Sequence, residues 1–536
     1  MKLNNIKTFI LLLMLSFLSF GTAFAQGSLQ RDPKQPSRIL DSSNTFTIVL
    51  EDSQDPLEFN PLLATDSNSL IILQSLYEGL YGYDRVQNAP VLAAAQSVDV
   101  SEDGLIWSFT IRKTLRFSNG ETITAQTYVD SWLWLLSHNN NPASSFFDAV
   151  AGAKAYRLHK GSSQNVGIKA LDDYHLEIRL HAPAPYLPDV LVLPYFAPMH
   201  SEQRQLQPSD DPLTIPVPGP FRVSALGSNT ITLEKNPWYW DYDNVDSDFI
   251  RLIQGFPAEK LSMEYANGTI DWSAAFIPLQ ALSDKRDLRL AAQYATAFFY
   301  FSADSGPYAN PKIRKALSLL IDWNSVRDES GQLFITDRLL PDLDKRQIDR
   351  SNGVDIQKAF ELLREAGYEN GKGLPAINIA IHRGTQVETA AHTIAEAWSS
   401  ILQITVVLDI VPLGVYAATP SNSPYDFAFI TWIGDIYDPY AFLYLWESQS
   451  SHNLGRLKDP VFDALLDDAM KESSKEKRLE LYAIAEQRLL DEAVVFPMYH
   501  GVSSNVVATD RVTGWNANIL DIHPLKHLKS TKSVQP

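Results

Sequence analysis

The chain has 536 residues, 45% of them apolar and 11% aromatic, which is enough to bury sizeable cores in two or more lobes. Its formal net charge of −18 argues against nucleic acid and anionic membrane surfaces as partners. It contains no cysteine, which excludes disulfides, thiolate chemistry and a cysteine-linked lipid anchor.

The chain opens with Lys2 and Lys7, an apolar run from Phe9 to Phe20, and Ala23-Phe24-Ala25. A basic start, a short apolar middle and a small-x-small site read as an export signal cleaved after Ala25. The apolar run is too short to span a bilayer comfortably, and no later run approaches its length. Removing the two lysines takes the formal charge from −18 to −20. The expected product is exported and soluble, with the periplasm as the best-fitting compartment.

Residues 26–43 are polar, with Pro33 and Pro36, and read as a leader segment. Thr45–Leu50 is the first expected strand. A helix follows from Ser69 to Leu80, interrupted at Gly79. Trp107–Arg112 alternates as a strand does, and Thr124–Leu136 reads as an amphipathic helix. Leu176–Leu180, Phe221–Ala225 and Thr230–Lys235 are further strands. The acidic run Asp241–Asp248 lacks the glycine and closing glutamate of a calcium loop.

In the second half strands and helices alternate. Ala297–Ser302 is a strand, and Asn310-Pro311 caps and opens a helix. Asp355–Ala366 is a helix closed by Gly367. Strands at Ile377–Ile381 and Ile404–Ile410 flank a helix at Thr389–Leu402. A helix at Lys475–Leu490 leads to strands at Val494–Tyr499 and Ser503–Ala508. This alternation predicts an α/β lobe with a largely parallel sheet.

The most informative stretch is Asp426–Asp438. Phe427 to Ile433 reads as a buried strand, and Gly434-Asp435 places a carboxylate where it ends. Ligands of open α/β sheets bind beyond the carboxyl ends of strands. Asp435 beside Trp432 suits a cation, held by charge and walled from water by an indole. Shaping a turn is the alternative role for Asp435.

Catalytic signatures are absent. There is no G-x-S-x-G, H-E-x-x-H, phosphate loop or G-x-G-x-x-G. The eleven histidines are scattered, and His523 and His527 lack a third partner for a metal. Neither an enzyme nor a cofactor is expected.

Six stretches together resemble the periplasmic oligopeptide- and dipeptide-binding proteins of ABC importers, family 5 of the extracellular solute-binding proteins. They are Leu76-Tyr77-Glu78-Gly79-Leu80; Trp107–Lys113 with Phe117-Ser118-Asn119-Gly120-Glu121; Lys235-Asn236-Pro237-Trp238-Tyr239-Trp240; Lys312–Asp322; Leu362–Tyr368; and the Asp435 segment. The resemblance implies an α/β, bilobal, type II periplasmic-binding-protein-like fold with an extra α+β subdomain in the first lobe. It implies a first lobe of residues 26–80, 200–294 and 503–536, an inserted subdomain of 81–199, and a second lobe of 295–502. Hinge strands are expected near Gln293–Phe298 and Pro497–Ser504.

The resemblance also implies that Asp435 holds a peptide ammonium, with Trp432 three positions before it. Thr431, Ile433 and Gly434 on one side and Thr65, Asp66 and Ser67 on the other are expected to flank the peptide backbone by strand addition. Tyr499, and Phe146 or Phe147, are candidate pocket walls. Phe429 stands where well-known oligopeptide binders carry a basic residue for the ligand carboxylate, and Val387 falls near a second such position, with Arg383 as a possible substitute. The expected partners are a peptide and an inner-membrane permease, the receptor itself being a monomer. A specialised solute, such as a murein peptide, nickel chelate or sugar, and a chaperone or signalling role are the alternatives.

Overall fold

The computed structural model describes residues 40–51, 57–62, 64, 66–138, 142–205, 211–341, 353–412, 415–416 and 423–531. The expected export signal, most of the polar leader and Thr65 lie outside the described residues.

A ten-stranded sheet runs through the molecule. Its order is Val406–Ile410, Ile377–Ile381, Phe427–Ile433, Leu288–Phe301, Val495–Val507, Trp272–Ser273, Thr45–Val49, Phe249–Ile253, Thr230–Lys235 and Phe221–Leu226. Two long central strands join the halves. The start of Leu288–Phe301 pairs with Val502–Val506, its end pairs with Val495–His500, and the register shifts between Ala292 and Thr296. Beyond that shift the same strand also pairs with Phe427–Ile433. A shift of this kind bends and twists a strand, which suits a passage from one half of the sheet to the other.

The sheet is mixed, not largely parallel. Ile377–Ile381 runs parallel to both its neighbours, but Leu288–Phe301 runs antiparallel to both Phe427–Ile433 and Val495–Val507. Val494–Tyr499 and Ser503–Ala508 are also one strand, Val495–Val507, continuous through Gly501. A Cβ on Gly501 would lie 2.7 Å from the Cβ of Ala295. The glycine permits close approach of the two central strands and does not break one.

A separate four-stranded antiparallel sheet has the order Ala95–Val100, Ile106–Ile111, His175–Arg179 and Ile168–Ala170, with the helix Ala125–Ser137 packed on it. Trp132 on that helix is fully buried and donates its indole N–H to the Phe196 carbonyl at 2.9 Å.

Local sequence explains the helix ends. Asp66 caps Ser67–Leu76 by accepting the Ser69 N–H at 2.9 Å. Asn310 caps Pro311–Leu319, and Asp355 caps Ile356–Glu365. The helix expected to reach Leu80 stops at Leu76. The Leu76 carbonyl is taken by the Gly219 N–H, and Gly79 packs so closely on the Leu191 carbonyl that a Cβ there would lie 2.3 Å from it.

Candidate functional site

The strand Phe427–Ile433 is buried on both faces for its first four residues and half-buried for its last three. Phe427 stacks on Phe299 at 5.2 Å and Phe429 meets the same ring at 4.9 Å, whereas Ala428 and Ile430 belong to the core on the other face. Asp426 fastens the start of the strand, accepting from the Asn378 backbone and side chain at 2.9 and 3.1 Å. One backbone edge pairs along its length with Ala295–Phe301. The other pairs with Ile377–Ile381 only through Phe427 and Ala428. The Tyr416 hydroxyl takes the Phe429 carbonyl at 2.7 Å. Among the described residues, no strand pairs with the outer edge of Thr431–Ile433, which leaves it open to an added strand.

Gly434 turns the chain out of the strand. Its N–H donates to the Tyr294 carbonyl at 2.8 Å, and a Cβ would lie 2.6 Å from the Tyr294 ring. Asp435 follows, half-buried: solvent reaches it although protein surrounds it. That burial pushes its carboxyl up to about 7, while its own backbone N–H and the nearby Tyr444 hydroxyl offset part of the rise. No cation among the described residues pairs with it. Trp432 lies beside this position. Its indole N–H donates to the Ala441 carbonyl at 2.8 Å, and its ring lies 5.3 Å from His452 and 6.2 Å from Tyr444. Burial lowers His452 to about 4, so that it is neutral at pH 7.

Asp66 and Ser67 are half-buried at the start of their helix, and Asp66 has a structural role as its cap. Tyr195 connects the two sides of the site. It is buried, donates to the Ala64 carbonyl at 3.4 Å, and is held well above its ordinary pKa by burial and then by Asp435 and Asp66 together. Burial raises Glu51 above the usual carboxylate range, and Asp521 and Asp66 raise it further. Glu58 is raised by burial and then by Asp66. Acidic groups thus gather around Asp66, each made harder to ionise by burial and by its neighbours. Tyr499 is raised by burial and meets the Thr431 side chain.

Several candidate residues lie elsewhere. Phe429 is 1% exposed and sits inside the second core, its ring 5.6 Å from His382. Val387 is buried in the same core, and Arg383 is exposed. Phe146 and Phe147 are both 0% exposed; Phe146 packs on Tyr444 at 4.8 Å, and Phe147 on Phe196 at 4.3 Å. They lie behind the site and form no open wall. Tyr195, Tyr444, His452 and Glu51 were not legible as site residues. The only local signal is the apolar run Tyr440–Trp446, which looks like ordinary core. Among the described residues, no group of three or more His, Asp or Glu could hold a metal, and no helix is long and apolar enough to cross a membrane.

This arrangement suits a cation with an extended backbone attached: a carboxylate to bind the charge, an indole to exclude water, and a strand edge for amide pairing. Residues 89–453 match the model for bacterial extracellular solute-binding proteins, family 5, middle region. The oligopeptide-binding protein OppA of Bacillus subtilis is 28% identical over 515 residues, covering 91% of this chain and 92% of that protein. The crystal structure of a periplasmic oligopeptide-binding protein (OppAIV) from Borrelia burgdorferi superposes with a TM-score of 0.79 at 26% identity, covering 90% of this chain and 100% of that one. The murein tripeptide-binding protein MppA of Escherichia coli superposes with a TM-score of 0.79 at 21% identity, covering 91% and 99% of the two chains. MppA in its unliganded open form scores 0.60 at 22% identity, covering 92% and 99%. The fold is the α/β, bilobal type II periplasmic-binding fold with an extra α+β subdomain, and the chain belongs to the family 5 bacterial extracellular solute-binding proteins.

Proposed function

We propose that this protein captures peptides in the periplasm and delivers them to the permease of an ABC importer. The observation that carries the reading is Asp435: a surrounded carboxylate that no cation among the described residues pairs with, at the end of a strand edge that no described strand covers, and beside Trp432. A receptor for many peptides must grip what they share, the ammonium and the backbone. Asp435 takes the ammonium, Thr431–Ile433 pairs with the backbone, and Asp66 and Ser67 face it from the first lobe. Gly434 lets the chain turn closely against Tyr294 and Phe442, and Tyr499 supports Thr431.

In this reading the lobes comprise residues 26–80, 200–294 and 503–536 against 295–502, with 81–199 inserted. They close about the two central strands as a hinge. The signal is cleaved after Ala25, the mature protein acts as a monomer, and it binds without catalysing a reaction.

Native mass spectrometry of protein purified from its own periplasm, before and after mild denaturation, tests this. A ladder of bound peptide masses supports the general receptor and gives its length range. A single non-peptide mass would replace it with a specialised solute receptor.

A further inference from the structure

The segment from Tyr440 to His452 has two sides. One side backs the ligand pocket: the Ala441 carbonyl holds the Trp432 indole, Tyr444 stands beside Asp435, and His452 lies against Trp432. The other side is gripped by the inserted part of the chain. Phe146 packs on Tyr444 at 4.8 Å. Lys154 reaches Glu447 at 2.5 Å. Ser145 Oγ lies 2.8 Å from Ser451 Oγ and accepts the Ser451 N–H at 2.9 Å. Arg157 chelates Asp148 at 2.9 and 2.5 Å and donates to the Gln449 carbonyl at 3.0 Å.

Four polar or aromatic contacts thus converge on Tyr444–Ser451 from residues 145–157. Glu447 is only 6% exposed and Arg157 1%, while the Lys154 side chain keeps 32% of its surface in solvent. A buried ion pair adds little net free energy over its hydrated halves, but it fixes geometry strictly, and removing one partner strands the other. Such a contact selects one docked register and still allows release into water. That is what a receptor needs if it must close on a ligand and later reopen.

We infer that Ser145, Lys154 and Arg157 are positioning residues for the ligand pocket. They dock the inserted subdomain on Glu447–Ser451 and, through Tyr444 and Trp432, set the walls around Asp435, so that undocking of this contact governs ligand release. The inference rests on the peptide-receptor reading for its ligand.

Stopped-flow binding of a free tripeptide tests it in the full chain, using Glu447→Gln, Lys154→Met and the double variant. Each single change should speed dissociation about tenfold and leave association within about twofold, because docking follows encounter. The double variant should dissociate more slowly than the product of the single effects predicts, because the two act through one contact. Unchanged dissociation in both singles, or strictly multiplicative effects, would overturn the inference. Ser451→Ala, a smaller change, should show the same rate split if the glutamate variant folds poorly. A second arm needs no ligand: spin labels at Lys160 and Glu476 should report a broader distance distribution in ligand-free Glu447→Gln than in wild type, and identical distributions would refute docking. If wild type binds no tripeptide at all, the peptide reading fails, and the label distances alone then decide for or against the docking contact.

Discussion

Trp432 donates its indole N–H to the Ala441 carbonyl at 2.8 Å. The bond ties the end of the strand to a residue nine positions later and closes the intervening chain into a loop. Asp435 is carried on that loop, so the indole and the carboxylate are held in a fixed relation before any ligand arrives. Preorganisation of this kind reduces the ordering cost of binding.

Replacing the carboxylate should separate binding from stability. Asp435→Asn should weaken binding of a free peptide by about 2 kcal/mol or more, since a desolvated ammonium loses its counter-charge. The same change should stabilise the ligand-free protein. Asp435 is raised from 3.8 to about 7 in the folded state, so the penalty on folding grows as pH rises from about 4 and is complete above about 7. Scanning calorimetry at pH 8 should show Asn raising the unfolding temperature by about 1–3 °C, an effect that fades below pH 4. Unchanged peptide affinity would remove Asp435 from the site.

Binding should be linked to protons. A peptide ammonium favours the ionised carboxylate, so affinity should peak between about pH 7 and pH 8, where the carboxylate is ionised and the ammonium is still protonated, and fall by up to about tenfold per unit below that. Titration calorimetry near pH 7 in buffers of different ionisation enthalpy should detect proton release on binding. A flat affinity between pH 5 and pH 8 contradicts the assignment.

A second carboxylate tests the fold and not the site. Glu78 accepts from Lys526 at 2.6 Å, the Tyr239 hydroxyl at 2.6 Å and the Trp240 indole at 2.7 Å. Burial alone would raise it, but Lys526 and these donors hold it below its ordinary 4.5. A depressed carboxylate contributes stability above its unfolded pKa and loses it as pH falls through the folded value. Glu78→Gln, measured by denaturant unfolding at pH 7, should therefore cost about 2–4 kcal/mol, and the deficit should shrink below pH 4.

The ligand's far end gives a different expectation. Phe429 is enclosed in a core and supplies no positive charge. Peptides with amidated C-termini should bind as tightly as the free acids. A strong preference for the free acid would transfer carboxylate capture to Arg383 or to His382, which lies against Phe429.

Strand and helix positions were the most legible part of the sequence. Ile377–Ile381 matches residue for residue, and the caps at Asn310 and Asp355 mark true helix starts. Strand direction was not legible, because an apolar run buried on both faces reads the same either way, and Phe427–Ile433 proved antiparallel to its inner neighbour. Gly501 misleads for a related reason: a glycine that breaks a strand and one that lets strands approach look alike in sequence. In the site, Gly434-Asp435 stands out because a carboxylate directly after seven apolar or β-prone residues is unusual. Tyr195 and Tyr444 do not stand out, since nothing in an aromatic residue's neighbours says that its hydroxyl will face a carboxylate brought close by folding.

The most direct test of the account is calorimetric titration of one tripeptide in two forms, with a free amino terminus and with that terminus acetylated. If Asp435 is there to hold an ammonium, acetylation should reduce affinity by about 100-fold or more, because the half-buried carboxylate is then covered by the ligand without a cationic partner. Equal binding of the two forms would contradict the account and assign Asp435 to shaping its loop.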